Sequence, residues 1–128
     1  MRAEWWEVPS DENSREVEQI LDDRDRWAVF AAILESTCTG FLEAHLREYA
    51  EGAAASPVGY QEGLFVQPEF RRRGFARLLI EAGEAWARSR GCTEMASDAH
   101  LDNAASIRLH SKLGYHEVDR VVCFLKRI

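Results

Sequence analysis

The sequence lacks an apolar run long enough to cross a membrane, and its N-terminus lacks the basic and then apolar layout of a secretory signal peptide. We therefore expect cytoplasmic residence. It also lacks a cysteine framework, because Cys38, Cys92 and Cys123 are odd in number, widely spaced and without a C-x-x-C pair. This pattern argues against a disulfide-built fold and a zinc site, so we expect reduced structural cysteines and no metal.

An excess of basic residues is also missing, since 16 Lys and Arg stand against 22 Asp and Glu, for a net charge of -6. A nucleic-acid-binding protein normally has the opposite balance, so we expect no nucleic-acid partner. The lack of a membrane-spanning run leads us to expect no membrane partner either. An acidic surface suits a cationic ligand, although the same charge also serves plain solubility. The 128 residues, without an internal repeat or linker, predict a single domain over 1–128 with a modest core.

The first half of the sequence predicts a short helix followed by a meander of strands. Ser10 or Asp11 is a candidate cap for a helix that runs to about Leu21, and a polar turn follows at 22–25. Continuous or alternating apolar runs then predict three strands, at 27–34, 39–49 and 58–66.

The second half alternates between helices and strands. An apolar stripe at helical spacing predicts a helix from Phe75 to Arg90, ended by Gly91. The remaining predictions are a strand at 93–99, a helix capped by Asp102 or Asn103 and ending at Leu113, and strand segments at 116–120 and 121–126. This order predicts an α/β or α+β fold with one central sheet.

The segment Arg71-Arg72-Arg73-Gly74-Phe75-Ala76 lies where the third strand turns into the long helix. A helix N-terminus presents unpaired N–H groups and a partial positive charge, so it binds phosphate. Gly74 and the small Ala76 permit close approach of a ligand, and the arginines add forked donors. The alternative is a solvated basic helix start, which the helix dipole disfavours. The position of the segment therefore predicts a pyrophosphate-binding loop.

Several segments resemble a known family. Arg71-x-x-Gly74-x-Ala76, then Asn103 and Leu113-Gly114-Tyr115, resemble the GNAT acetyltransferase superfamily. The segments 60–66, 91–98 and 120–124 are similar, more closely, to aminoglycoside 6'-N-acetyltransferases, and the similarity runs from about Arg2 to the C-terminus. It implies the GNAT fold, which is a single mixed central β-sheet flanked by helices, with acetyl-CoA as cosubstrate, an aminoglycoside as acceptor, and a homodimer.

The sequence departs from the family at its start. The family normally begins with another strand before its first helix, whereas this sequence begins near the end of that helix. Either the first family strand is missing from the sheet or the true start lies upstream.

The resemblance also implies roles for individual residues. Backbone groups of Leu64, Phe65 and Val66 would bind the pantetheine and thioester, and Asn103 would contact the cofactor arm. The pyrophosphate would be wrapped by Arg72, Arg73, Gly74, Phe75, Ala76 and Arg77. The aminoglycoside would be contacted by Trp6, Tyr49, Glu62, Asp98 and Asp119.

Direct acyl transfer requires a neutral amine, a polarised thioester carbonyl and a proton for the leaving thiolate. Because an alkyl amine has a pKa of about 10, the bound amine must lose a proton, and Glu62 and Asp98 are the candidate bases, directly or through a water. Both also suit a cationic sugar. An N–H group in 64–66 would polarise the carbonyl as an oxyanion hole does. Many GNAT enzymes have a tyrosine near the cofactor sulfur where this sequence has His110, so the general acid stays open.

Each assignment has a structural alternative. The alternative for Glu62 is a solvent-facing carboxylate, for Asp98 a residue that ends a strand, and for His110 a packed or hydrogen-bonded helix residue. The alternative for Trp6 and Tyr49 is packing of their rings, and for Asp119 it is a surface ion pair with Arg120 or Lys126. The functional alternatives are a GNAT enzyme that acts on another amine, such as a polyamine or small metabolite, and a non-catalytic acetyl-CoA-binding domain.

Overall fold

The computed structural model describes residues 15–23 and 26–128, and the chain falls into two compact units, 1–98 and 99–128. In its described residues, 15–23 and 26–98, the first unit contains five strands, a short 3-10 turn and one long helix. These are β1 (Arg15–Asp23), β2 (Trp27–Leu34), β3 (Thr37–Arg47), β4 (Val58–Val66), the turn Pro68–Phe70, α1 (Phe75–Ser89) and β5 (Met95–Ala96). The second unit contains α2 (Ala104–Lys112). No helix of the described residues is long and apolar enough to span a bilayer.

The strands form one sheet in the order β1-β2-β3-β4-β5, with antiparallel pairing up to β4 and parallel pairing between β4 and β5. The predicted single mixed sheet is therefore confirmed. One face packs against α1, because alternate residues of β2 and β3 and the apolar stripe of α1 bury their side chains together. Gly83 allows this close approach, since a Cβ on it would lie 2.7 Å from Cδ2 of Leu42.

The strands predicted at 27–34, 39–49 and 58–66 and both later helices are confirmed, with ends that differ by a few residues. Helix α1 is followed by Gly91, whose φ of 90° is the left-handed conformation expected of a residue that ends a helix. At the start of α2, the side chain of Asn103 accepts a hydrogen bond from the N–H of Ser106, so Asn103 rather than Asp102 is the cap.

The helix predicted from Ser10 or Asp11 to Leu21 is wrong over residues 15–21, which belong to β1. Asp22 and Asp23 of the predicted turn also belong to β1, while 10–14 and 24–25 lie outside the described residues. The register between β1 and β2 shifts between Gln19 and Leu21. A bulge adds one residue and breaks the period-two alternation, so the apolar spacing of this strand imitates a helical stripe.

Three strand predictions in the second half of the chain differ from the structure. The strand predicted at 93–99 shrinks to β5, and residues 115–128 form neither helix nor strand, so the strands predicted at 116–120 and 121–126 are wrong. A strand needs a neighbour for its N–H and C=O groups, and the second unit contains no other strand. Apolar side chains of this segment are therefore exposed, including Phe124 at 90%.

All three cysteines are free thiols. Cys92 is buried and Cys38 half-buried, and burial raises the pKa of both thiols. Such thiols are poorly reactive, as expected of structural cysteines. Cys123 differs from the expectation of a small buried hydrophobe because it is exposed.

Candidate active site

The loop before α1 has the backbone of an anion site. Gly74 is the N-cap residue of α1 with φ 90° and ψ 2°, and no side chain caps the helix. Arg72 has a φ of 65°, which is uncommon for a residue with a side chain and is typical of functional loops. Left-handed residues turn successive N–H groups toward one point, and the helix dipole adds positive charge there. Phe75 is buried in the core, so it contributes to this loop through its backbone.

The arginines of the loop have different surroundings. Nε of Arg71 donates to the carbonyl oxygen of Val66 at 2.7 Å, so Arg71 fastens the loop to the end of β4. Arg73 lies over the ring of Phe70, and Arg77 pairs with Glu81 on the exposed surface of α1 at 3.1 Å. The side chains at positions 72, 73 and 77 remain at the surface, where they can meet an anion, whereas Arg71 has a structural role.

Strand β4 contains a β-bulge at Glu62. Its register with β3 passes from Gly63 to Gln61, which leaves Glu62 as the extra residue of a bulge. Bulges of this kind re-aim side chains next to active sites. On the other edge, pairing with β5 stops at Tyr60 and Ala96, so within the described residues the stretch of β4 at 64–66 has no β5 partner. The two strands therefore open beside the loop that leads into α1.

The bulge places Glu62 in a network of polar side chains on the sheet face opposite α1. The guanidinium of Arg47 donates to both carboxylate oxygens of Glu62, at 3.0 and 3.1 Å, and Nδ1 of His45 lies 3.4 Å from the same carboxylate. The hydroxyl of Tyr60 donates to Asp98 at 2.5 Å. The Arg47 guanidinium also lies 3.6 Å from the centre of the Tyr60 ring. We call these five side chains the carboxylate network.

Electrostatic effects within the network keep its donors protonated. Burial and the hydrogen bond to Asp98 raise the pKa of Tyr60 well above its usual value. The hydrogen bond from Arg47 to Glu62 raises the pKa of the guanidinium, which is already charged at all working pH values. Tyr60 therefore donates to Asp98, and Arg47 donates to Glu62, across the physiological pH range.

A model of the Acetyltransferase (GNAT) family matches residues 1–115. The chain belongs to the GNAT acetyltransferase family. It is 41% identical over 129 residues to an aminoglycoside N(6')-acetyltransferase type 1 of Acinetobacter baumannii, with 100% of this chain and 88% of the relative covered. A protein of the same name from Salmonella typhimurium is 40% identical over 124 residues, with coverage of 96% and 85%.

Solved structures of GNAT-family enzymes agree with this relationship. The aminoglycoside N-acetyltransferase AAC(6')-Iy in complex with CoA superposes with a TM-score of 0.79 at 41% identity, covering 83% of this chain and 70% of that one. AAC(6')-Iy bound to the bisubstrate analogue CoA-S-monomethyl-acetylneamine gives a TM-score of 0.78 at 42% identity, with coverage of 81% and 71%. The expected GNAT fold and the resemblance to aminoglycoside 6'-N-acetyltransferases are confirmed.

The first unit of this GNAT protein contains most of the predicted site residues. It brings together the loop at 72–77, the opened stretch of β4 at 64–66, and the carboxylates of Glu62 and Asp98. Tyr49 follows the end of β3 and is 66% exposed, so its ring is not packed in the core. Trp6 lies outside the described residues. For Glu62 the solvent-facing alternative is wrong, because its side chain is 20% exposed and paired.

The predicted residues of the second unit have local partners. Oδ1 of Asn103 caps α2. Nδ1 of His110 lies 2.7 Å from the carbonyl oxygen of Ser106, so the neutral ring carries its proton on Nδ1 and has Nε2 as an acceptor. Asp119 is exposed and accepts from the backbone N–H of Arg120.

The structure only partly confirms the alternative that Asp119 pairs with Arg120 or Lys126. The guanidinium of Arg120 pairs with Glu117 rather than with Asp119, and Asp119 receives only the backbone donor. The carboxylate of Asp119 is therefore exposed and has no guanidinium partner among the contacts described for the second unit.

The sequence reasoning missed Arg47, Tyr60 and His45. A signal was available, because Glu43, His45 and Arg47 occupy alternate positions of a strand in the middle of the sheet. Ionisable residues at this spacing share one face of a strand. For metals, residues 15–23 and 26–128 contain no group of three or more potential ligands, and the expectation of a metal-free site stays a prediction.

Proposed function

We propose that this protein transfers the acetyl group of acetyl-CoA directly to the 6'-amine of aminoglycoside antibiotics, and thereby confers resistance to them. The observation that carries the proposal is that β4 joins two half-sites. Its bulge carries Glu62 of the carboxylate network, and its end leads through 67–74, which include the loop arginines and Gly74, into the N-terminus of α1. An acidic half suits a cationic amine, and a helix N-terminus suits a pyrophosphate. The relatives named above support the choice of acceptor.

On the donor side, acetyl-CoA supplies the activated acetyl thioester. We assign its pyrophosphate to the N-terminus of α1, where backbone N–H groups and the side chains of Arg72, Arg73 and Arg77 supply donors. Backbone groups of 64–66 are assigned to the pantetheine arm and to polarising the carbonyl, because this stretch has no β5 partner among the described residues. Asn103 is assigned to the cofactor arm.

On the acceptor side, Glu62 and Asp98 hold the ammonium group and accept its proton, directly or through a water. Trp6, Tyr49 and Asp119 are assigned to the sugar rings, with the aromatic side chains as an apolar wall. His110 is assigned as the general acid for the departing thiolate. Because Nδ1 is engaged by the carbonyl of Ser106, the transferred proton would come from Nε2 of the protonated ring.

We further propose that residues 1–128 act as one acetyltransferase domain that functions as a homodimer in the cytoplasm. The family match over 1–115 supports the single domain, and the free thiols fit a reducing compartment. The homodimer is what the resemblance to aminoglycoside 6'-N-acetyltransferases implies. Light scattering that reports a monomer at micromolar concentration would contradict the dimer.

A thiol-release assay with acetyl-CoA over a panel of aminoglycosides and polyamines tests the activity. We expect turnover with aminoglycosides that carry a 6'-amine and none with 6'-hydroxyl analogues, and NMR of the product should place the acetyl group on that nitrogen. Turnover with polyamines alone would show that the acceptor is a polyamine rather than an aminoglycoside. Tight acetyl-CoA binding without any turnover would support a non-catalytic domain instead.

A further inference from the structure

We propose that Arg47 and Tyr60 are positioning residues for acyl transfer, with Arg47 fixing the carboxylate of Glu62 and Tyr60 fixing that of Asp98. The stack of Arg47 on Tyr60 links the two pairs into one unit. The inference rests on the proposed function, in which the two carboxylates meet the acceptor amine. Neither Arg47 nor Tyr60 is needed to touch the substrate.

Arg47 determines the direction of Glu62. As the extra residue of a bulge, Glu62 is omitted from the ladder between β3 and β4, so its orientation depends on its side-chain contacts. The guanidinium fork engages both carboxylate oxygens, and the two side chains are 38% and 20% exposed. A two-point contact in a partly shielded setting fixes geometry, whereas a surface ion pair with one contact does not.

Tyr60 performs the same task for Asp98. Strand β5 ends at Ala96, so Asp98 lies two residues beyond the last paired position of the sheet. Tyr60 is 5% exposed and pairs directly with Ala96, which gives its hydroxyl a rigid base. The 2.5 Å hydrogen bond from this hydroxyl ties a loop carboxylate to β4, a strand that is paired on both sides at Tyr60.

The donors of the two positioning contacts differ in charge, and this difference provides a test. Arg47 compensates the negative charge of Glu62, whereas Tyr60 is a neutral donor that leaves the charge of Asp98 intact. Removing the guanidinium therefore makes the site more negative and also releases Glu62. A positioning role predicts a loss of kcat without a rise of the acceptor KM, in a variant that unfolds at the same temperature as the parent. Loss of folding would instead lower the apparent kcat together with the unfolding temperature.

The test uses Arg47→Met, Arg47→Lys and Tyr60→Phe in the full chain, with kcat and both KM values measured for the best aminoglycoside. We expect Arg47→Met and Tyr60→Phe to lower kcat roughly 10- to 100-fold, the size of a lost hydrogen bond to a charged group. The KM for acetyl-CoA should stay within about twofold. Arg47→Lys keeps the charge and loses the fork, so its kcat should be intermediate.

Arg26→Met is the matched control, because Arg26 also pairs with a glutamate, Glu48 at 3.5 Å, and contacts no member of the carboxylate network in the described structure. Its kcat should stay within about twofold of the parent. The double variant Arg47→Met/Tyr60→Phe should lose less than the product of the single losses, because the two residues share one unit. Full additivity, or kcat values near the parent for both single variants, would overturn the proposal.

Crystal structures of the two single variants separate this inference from the proposed function. We expect the Glu62 carboxylate to be displaced or disordered in Arg47→Met, and the Asp98 carboxylate in Tyr60→Phe, whichever amine is the substrate. Unchanged carboxylates would refute the positioning role even in an enzyme that acetylates aminoglycosides. Displaced carboxylates in a protein that acetylates only polyamines would uphold the positioning role and remove the aminoglycoside assignment.

Discussion

Glu62 and Asp98 were equivalent candidates in the sequence, but their surroundings in the structure differ. Glu62 accepts two hydrogen bonds from a guanidinium, whereas Asp98 accepts one from a phenol. A carboxylate that faces a cation has less attraction for a second one, so an arriving ammonium group meets the stronger negative charge at Asp98. This difference makes Asp98 the more sensitive residue for a charge-removing substitution.

We expect Asp98→Asn to lower kcat about 100-fold or more, the range of a lost general base, while the KM for acetyl-CoA changes little. The amide oxygen of asparagine still accepts the hydrogen bond from Tyr60, so the fold is preserved while the charge is lost. Steady-state kinetics with each substrate varied in turn makes the measurement.

Glu51→Gln, an acid-to-amide change at an exposed turn, is the control for Asp98→Asn and should match the parent enzyme. An equal loss of turnover and acetyl-CoA affinity in Asp98→Asn would mean that Asp98 is structural.

Individual residues were predictable from the sequence where the pattern that identifies them lies in neighbouring positions. Gly74 and Gly91 are recognisable because a left-handed turn at a helix end favours glycine. Glu62 and Asp98 came from resemblance to a family, since nothing in their immediate neighbours distinguishes them from surface carboxylates. Arg47 was missed because its partner is 15 positions away and the contact depends on the bulge in β4, which no local pattern reports.

At the element scale, α1 is both a packing element and the proposed pyrophosphate site. Its stripe is fixed in the core by residues such as Phe75 and Leu79, so its N-terminus is held rigidly at the end of β4. A fixed dipole and fixed N–H groups bind an anion without the cost of ordering a loop. The conformation of Gly74, one residue before the helix, is therefore part of the proposed site.

We expect Gly74→Ala to raise the KM for acetyl-CoA about tenfold, because a Cβ in the left-handed conformation costs roughly 1–2 kcal/mol and obstructs an approaching phosphate. Gly91→Ala is the matched control. Gly91 has the same φ of 90° at the other end of α1, and a Cβ there would meet nothing within 4 Å. Both variants should lose similar thermal stability, while only Gly74→Ala should change the KM. A KM change shared by both would indicate strain in the helix rather than a phosphate contact.

The elements themselves were predictable where one periodicity dominates. The continuous apolar run of β2 and the stripe of α1 gave elements within two residues of those observed. The helix predicted over 15–21 rests on a candidate cap and acidic first-turn residues, which are local signals, whereas the strand state of β1 depends on pairing with β2. Residues 115–128 contain apolar runs typical of strands, but a run cannot specify the neighbour that a strand needs.

At the scale of the whole molecule, the net charge of -6 can be interpreted once the positions of the acidic and basic half-sites are known. The charge alone was compatible with solubility or with a cationic ligand. The structure places Glu43, Glu62 and Asp98 on or beside one face of the sheet and the arginine loop at the end of β4. A negative protein attracts a polycation from a distance and repels CoA, except at its local basic site.

Ionic strength should therefore act in opposite ways on the two proposed substrates. We expect kcat/KM for an aminoglycoside to fall about three- to tenfold between 0.05 and 0.5 M NaCl, because the Debye length shrinks well below 10 Å and long-range attraction is lost. For acetyl-CoA, screening weakens repulsion by the whole chain and attraction by the loop together, so its kcat/KM should change much less. The measurement is initial rates at limiting concentrations of each substrate in turn. A parallel fall for both substrates would trace the salt effect to the fold, and a flat aminoglycoside response would show that local contacts rather than the field of the protein capture the acceptor.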